Sequence, residues 1–342
     1  MSIGLSLDLV TGASGHVGGN LVRALLASGR RVRALVHDDD ALALKGLDVE
    51  RVRGDVRDPA SLPAAMKGVD IVYHLAALIS IAGDRGGAVS ATNVDGVKNV
   101  ARAALAGGVR RFVHCSSIHA FRLEAKERPI HEGSPRSDWP GAGAYDRSKA
   151  RGEIELQRVV AMGLDAVVVN PTGILGPLDF RPSRMGRVLL ALHERSLPAL
   201  IGGGFDWVDV RDVVSGVLAA GEKGRRGENY ILAGNWHSVS DVGRMAESVT
   251  GVPAPRFVVP MRLARVAAPF ATLFGHVTRQ EPLFTSEGLA ALRADRGIDR
   301  SKAARELGFT ARPTLETIRS AYDWFGSAGL LTARSAATAT TS

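Results

Sequence analysis

Residues 11–18, Thr-Gly-Ala-Ser-Gly-His-Val-Gly, limit what this chain can fold into more than any other stretch. An apolar run from Leu5 to Val10 precedes them, and Leu21, Val22, Leu25 and Leu26 follow at helical spacing. Strand, tight glycine turn and helix together form the context that a dinucleotide-binding fingerprint requires. Gly12 allows the sharp turn out of the strand, Gly15 lets backbone approach a pyrophosphate, and Gly18 lets the helix pack on the sheet. Ser14, His16 and Val17 complete the turn, whose free N–H groups and positive dipole end face an anion. An ordinary strand-to-helix turn also uses glycine, so the rest of the chain has to decide.

Strand and helix patterns alternate from there. Strands are expected at 31–36, 49–56, 71–75, 112–116 and 166–170, with helices from Pro59, over 91–106 and over 145–162. Strict alternation implies a parallel, doubly wound α/β sheet of the Rossmann type, with ligands beyond the carboxyl ends of its strands. Past Pro171 glycine and proline become frequent, which suggests a smaller C-terminal substrate-binding lobe. The expected division is a dinucleotide-binding domain over 1–170, a lobe over 171–328 and a disordered tail over 329–342. A strand near 228–233 is expected to return to the main sheet.

Composition narrows the class. With 342 residues, 45% of them hydrophobic, the chain can bury a large core. The single cysteine, Cys115, excludes a disulfide framework and suits a reducing cytoplasm. The start of the first strand leaves no room for a signal peptide, and no apolar run is long enough to span a membrane. A formal charge of +8 invites nucleic acid, yet the arginines are spread along the chain without a basic aromatic cluster. No set of side chains reads as a metal site. A small-molecule ligand is the expected partner, and a homodimer is compatible with the chain.

Chemistry enters at Tyr145-Asp146-Arg147-Ser148-Lys149, which puts a phenol and an ammonium four residues apart on one helix face. A phenol titrates near ~10 in water, and a fixed cation beside it favours the phenolate. The helix follows the strand that ends in Ser116-Ser117. This order of motifs resembles the extended short-chain dehydrogenase/reductases of the epimerase/dehydratase superfamily: the glycine turn, Gly54-Asp55-Val56, His74-Leu75-Ala76-Ala77, Asn93-Val94-x-Gly96, Ser116-Ser117 and Tyr145-x-x-x-Lys149. Ser301 to Gly308 fits the closing helix region of that group. Asn170-Pro171-Thr172 to Gly176-Pro177 and the 284–305 stretch are most similar to the dihydroflavonol reductase, hydroxysteroid dehydrogenase and hopanoid-associated members.

The resemblance implies roles. Tyr145 would be the proton donor or acceptor. Lys149 would hold the nicotinamide ribose and depress the Tyr145 pKa, and Ser117 would hydrogen-bond the substrate oxygen. Asp55 and Val56 would flank adenine, Leu75, Ala76 and Ala77 the pyrophosphate, and Pro171 with Thr172 the nicotinamide. Asn93 would fix the helix beneath the site. Cofactor choice falls at the end of the second strand, where Val36 replaces the acidic residue of NAD-using epimerases and His37 follows. Asp38 could still accept ribose hydroxyls, so the reading leans slightly to NADP over NAD. His74, His114 and His119 read as packing residues, with one of the last two able to line the pocket.

The activity implied is an NAD(P)-dependent oxidoreductase acting on a hydrophobic carbonyl or alcohol. A nucleotide-sugar epimerase or dehydratase is the enzymatic alternative, and a non-catalytic cofactor-binding regulator the third reading. Phe205 stands where sugar-nucleotide enzymes carry a diphosphate-binding arginine, although Arg181, Arg184 or Arg211 could substitute, and the apolar 261–292 segment suits a pocket wall.

Overall fold

The computed structural model describes residues 6–37, 42–81, 83–123, 129–264, 289 and 297–331. Seven parallel strands form the main sheet: β1 (Leu7–Thr11), β2 (Arg31–Val36), β3 (Glu50–Arg53), β4 (Ile71–His74), β5 (Arg111–Cys115), β6 (Ala166–Pro171) and, after three short strands, β10 (Asn229–Leu232). Their order is β10-β6-β5-β4-β1-β2-β3. The direction of winding therefore reverses between β1 and β4, the crevice where such sheets bind ligands. The strand expected near 228–233 is β10, with Asn229 to Leu232 paired to Val168 to Pro171.

A parallel sheet covered on both faces needs apolar residues at successive positions, and these strands have them. Val10, Val113 and Val167 pack with Leu21, Val22 and Leu25 of α1 (His16–Ala27) and Val213 and Val217 of α7 (Val210–Lys223). Their chain neighbours Leu9, Phe112 and Val168 face the other way, onto α2 (Leu62–Met66), α4 (Gly96–Ala106) and α5 (Ala144–Ala161). A one-residue slip in any strand would exchange the two faces.

Two sequence expectations change. The run 49–56 is extended only over β3, and Gly54 to Val56 leave the sheet. The Gly54 N–H still bonds the Val36 carbonyl at 3.0 Å, but the Ser61 hydroxyl then takes over both backbone groups of Asp55, at 3.0 Å each. The helix expected from residue 91 begins as one turn, α3 (Ala88–Ser90), and passes through a π segment, Ala91–Asp95, into α4. Such bulges often sit at functional positions, and this one carries Asn93.

A second apolar core lies under a three-stranded sheet of order β11-β9-β7, from β7 (Gly173–Leu175), β9 (Gly204–Asp209) and β11 (Asn235–Ser238). Leu189 and Leu192 of α6 (Arg184–His193), Val242 and Ala246 of α8 (Val239–Thr250), and Ile318, Tyr322 and Phe325 of α10 (Thr314–Ser327) fill it with Phe205 and Trp207. A third, two-stranded sheet pairs β8 (Leu200–Ile201) with β12 (Val258–Val259), and α9 (Ser301–Leu307) returns to the main core. No helix among the described residues is long and apolar enough to cross a membrane. Most of the apolar 261–292 segment lies outside the described residues, as do Asp38 and the end of the tail.

Candidate active site

The glycine turn is built by contact. Gly12 has φ +69°, and a Cβ there would lie 2.7 Å from the Ala76 nitrogen. At Gly18 it would lie 2.1 Å from the Gly12 carbonyl oxygen. Gly15 differs, because a Cβ there meets only the Gly12 oxygen at 3.3 Å. Its freedom thus matters on the open side, where Ser14 and Gly15 are exposed. Gly15 caps α1 without a side-chain bond, and the first helical turn holds no acidic residue. Unpaired N–H groups and the positive helix end are therefore offered to an anion.

Thr11 ties this turn to β4. Its hydroxyl lies 2.7 Å from His74 Nδ1 and accepts a bond from the Ala76 N–H at 3.2 Å. A cleft of about 390 Å³ results, lined by Gly12, Ser14, Gly15, His37, Asp55, Val56, Leu75, Ala76 and Ala77. These nine sequence-predicted residues are brought together. His16 and Val17 lie beside the cleft and do not line it, and the His16 Nε2 approaches the Pro177 carbonyl at 3.0 Å. Gly18 is buried beneath the turn. The cleft also holds a residue that sequence reasoning missed: Arg57, whose guanidinium grips Asp55 at 2.6 Å and holds that carboxyl below the usual range.

Across the crevice, at the end of β5, stand Ser117, Tyr145 and Lys149. Ser117 caps the short turn 118–120, its hydroxyl accepting from the His119 N–H at 3.3 Å. Asn93 joins the two halves. Its side chain bonds both backbone groups of Leu78, at 2.8 and 2.9 Å, and donates to the Ser148 hydroxyl at 2.9 Å. It fixes α5 against the cleft loop, as expected.

Burial pushes the Tyr145 phenol well above its usual range, while the Ser117 hydroxyl works the other way. Lys149 lies beside the ring and is not among the groups that shift the Tyr145 phenol. Its Nζ lies 5.9 Å from the Tyr145 ring centre and bonds the Cys115 carbonyl at 3.4 Å, and burial lowers its own pKa. Thr172 is tied to a neighbouring strand. Its hydroxyl donates to Asp206 at 2.6 Å, as does the Gly234 N–H at the same distance, so this side chain joins β6 to β9. Pro171 is buried as the last residue of β6.

Beneath the triad runs a polar network absent from the sequence expectations. Glu153 is buried on the face of α5 that carries Tyr145 and Lys149, and it accepts from Asn170 at 2.7 Å and Asn229 at 2.9 Å. Arg136 lies 2.7 Å from the same carboxylate. Asn170 passes the order on to the site by donating to the Ser117 carbonyl at 3.0 Å. A buried carboxylate needs such partners, and the i, i+4, i+8 spacing of Tyr145, Lys149 and Glu153 was the signal that could have found it.

A mostly parallel sheet wound in this order, with a glycine turn opposite Tyr-x-x-x-Lys, defines an extended short-chain dehydrogenase/reductase. The model of the NAD dependent epimerase/dehydratase family matches residues 9–233, and the chain belongs to that family. It is 38% identical over 335 residues to the sterol demethylase protein B of Methylococcus capsulatus, covering 94% of this chain and 99% of that one. It is 32% identical over 325 residues to a putative dihydroflavonol 4-reductase of Synechocystis, covering 94% of each. The crystal structure of gox2253 superposes with a TM-score of 0.84 at 33% identity, over 96% of this chain and 100% of that one.

Proposed function

We propose that this protein is an NAD(P)-dependent oxidoreductase that interconverts a carbonyl and an alcohol on an apolar small molecule, with Tyr145 as the acid/base group. One observation carries the reading: Tyr145, Lys149 and Ser117 stand together at the end of β5, facing across the crevice an uncapped glycine turn made for a pyrophosphate. The reductase names among the relatives support the same class. In this division residues 1–170 carry the cofactor, and 171–328 shape the substrate side.

The turn at Gly12, Gly15 and Gly18 would take the pyrophosphate, Asp55 and Val56 the adenine, Leu75 to Ala77 the cleft floor, and Lys149 the ribose beside the nicotinamide. The cofactor, when bound, supplies or accepts the hydride. Ser117 would hold the substrate oxygen beside the Tyr145 hydroxyl. In reduction Tyr145 gives its proton to that oxygen as the carbonyl π electrons move onto it; in oxidation the phenolate removes the alcohol proton. A half-buried phenol whose pKa is raised is protonated at neutral pH and so can donate. Cofactor choice leans to NADP: His37 is exposed at the end of β2, and the Arg57 guanidinium lines the same end of the cleft.

An apolar substrate is favoured by Phe205. It takes the place of a diphosphate-binding arginine, and its ring stacks on His119 at 6.0 Å. Arg211, the nearest arginine in sequence, is held by Asp209 at 2.7 Å and by Ser320 at 3.1 Å. Tyr145→Phe tests the mechanism. Cofactor binding, followed by nicotinamide fluorescence, should change little, whereas turnover should fall by ~10²-fold or more. Wild-type-like turnover in this variant would refute the assignment.

A further inference from the structure

His119 stands within reach of the proposed acid/base group, and the mechanism above leaves it unused. Its ring meets Tyr145 edge-on, centroids 5.6 Å apart at 64°, and stacks on Phe205. Its Nδ1 lies 2.9 Å from an Asp146 carboxylate oxygen. Asp146 follows Tyr145 directly in the chain, so an imidazole–carboxylate pair flanks the Tyr145 ring. We propose that His119 is a positioning residue for Tyr145: paired with Asp146, it sets the net charge beside the phenol and thereby the pH range in which Tyr145 keeps its proton for donation.

The physics is that of a switchable counter-ion. With the imidazole protonated, the pair carries no net charge. Once the imidazole has lost its proton, the pair carries one negative charge next to Tyr145, which opposes phenolate formation. The Asp146 carboxylate does act on Tyr145 in that direction, together with Cys115. Among the described residues, the following groups face the imidazole. From α5 it faces Tyr145 and Asp146, with Lys149 one turn further. From β9 it meets the Phe205 ring, whose neighbour Asp206 is engaged by Thr172 and Gly234 and influenced by His237. From its own turn, the backbone bond to Ser117 holds it in place. With Asp146 and His119 both only part-exposed, the charge acts through a partly desolvated medium. A shift of about one pH unit is expected for a charge at this range.

With the imidazole neutral, the Asp146 charge adds to the burial that keeps Tyr145 protonated for donation. The proposal rests on Tyr145 being the acid/base group, and its test separates the two. The phenolate absorbance of Tyr145 is isolated in each background as the spectrum of the parent minus that of its Y145F partner, titrated with pH under saturating NADP⁺. D146N should move the Tyr145 midpoint down by about one unit, and H119K, a permanent cation, should also move it down. H119Q should leave it at or above the wild-type value. Loss of packing alone would not push D146N and H119Q apart, and thermal unfolding of each variant monitors that effect. An equal midpoint in D146N and wild type overturns the proposal, as does an H119Q midpoint displaced downward like that of D146N. Absence of phenolate in both wild type and D146N up to the pH of unfolding counts as equality. Wild-type-like turnover of Y145F would instead sink the acid/base reading while leaving the measured charge effect intact.

Discussion

Gly15 and Gly18 belong to one motif but answer to different constraints. A methyl at Gly18 would stand 2.1 Å from the Gly12 oxygen, against backbone that cannot give way. Gly18→Ala should therefore destabilise the fold by about 1–3 kcal/mol, seen as a lower urea midpoint, and weaken cofactor binding with it. Gly15→Ala meets only a 3.3 Å contact and has an ordinary φ of −79°. Its stability should change by less than about 0.5 kcal/mol, while affinity for reduced cofactor falls at least tenfold in a fluorescence titration, because the methyl occupies the open face. Equal effects of the two substitutions on both measurements would show that the turn is not the anion site. Both glycines were legible in the sequence because their roles follow from local geometry. The bond from Thr172 to Asp206 was not legible, because its partner is 34 residues away and nothing local announces it.

At the scale of elements, β4 and β5 carry a pair that the sequence could name but not explain. His74 and His114 are register partners, buried and stacked with centroids 5.3 Å apart. Burial lowers the His74 pKa to about 3 and the His114 pKa well below its usual value. Among the described residues, neither ring nitrogen of His114 finds a hydrogen-bond partner. Both rings are neutral in the fold, whereas in the unfolded chain they gain protons below about pH 6.5. Stability is therefore complete above that pH and is lost as pH falls towards 3, by about 1.4 kcal/mol per pH unit for each histidine. His114→Phe keeps a ring on His74 and removes one protonation site. Chemical denaturation between pH 7 and 5 should show a shallower loss than in wild type, with little change at pH 7. An unchanged slope would mean that His114 is already charged in the fold. The strand itself, expected at 112–116, was readable in advance. The stacking depends on the β4–β5 register, which the sequence does not state.

Across the whole molecule, the parallel, doubly wound sheet followed from strict alternation of strands and helices, whereas the strand order that sets the switch point needed the structure. The lobe beyond β6 was harder to read, since its three-stranded sheet joins segments 173–175, 204–209 and 235–238 and mixes parallel with antiparallel pairing. The Glu153 network is likewise a property of the assembled molecule, uniting α5, β6, β10 and the loop carrying Arg136. On the proposed reading the chemistry turns on two features: Phe205 at the position where sugar-nucleotide enzymes carry a diphosphate-binding arginine, and the Ser117–Tyr145–Lys149 set. The most direct measurement is nicotinamide absorbance during incubation of wild-type protein and Y145F with NADPH or NADH and a panel of lipophilic ketones and aldehydes, alongside UDP-sugars. The account predicts net oxidation of the reduced cofactor with matching alcohol formation from an apolar carbonyl, faster with NADPH, and loss of that turnover in Y145F. Epimerised UDP-sugar formed with no net change in the nicotinamide, and no carbonyl reduced, would contradict it.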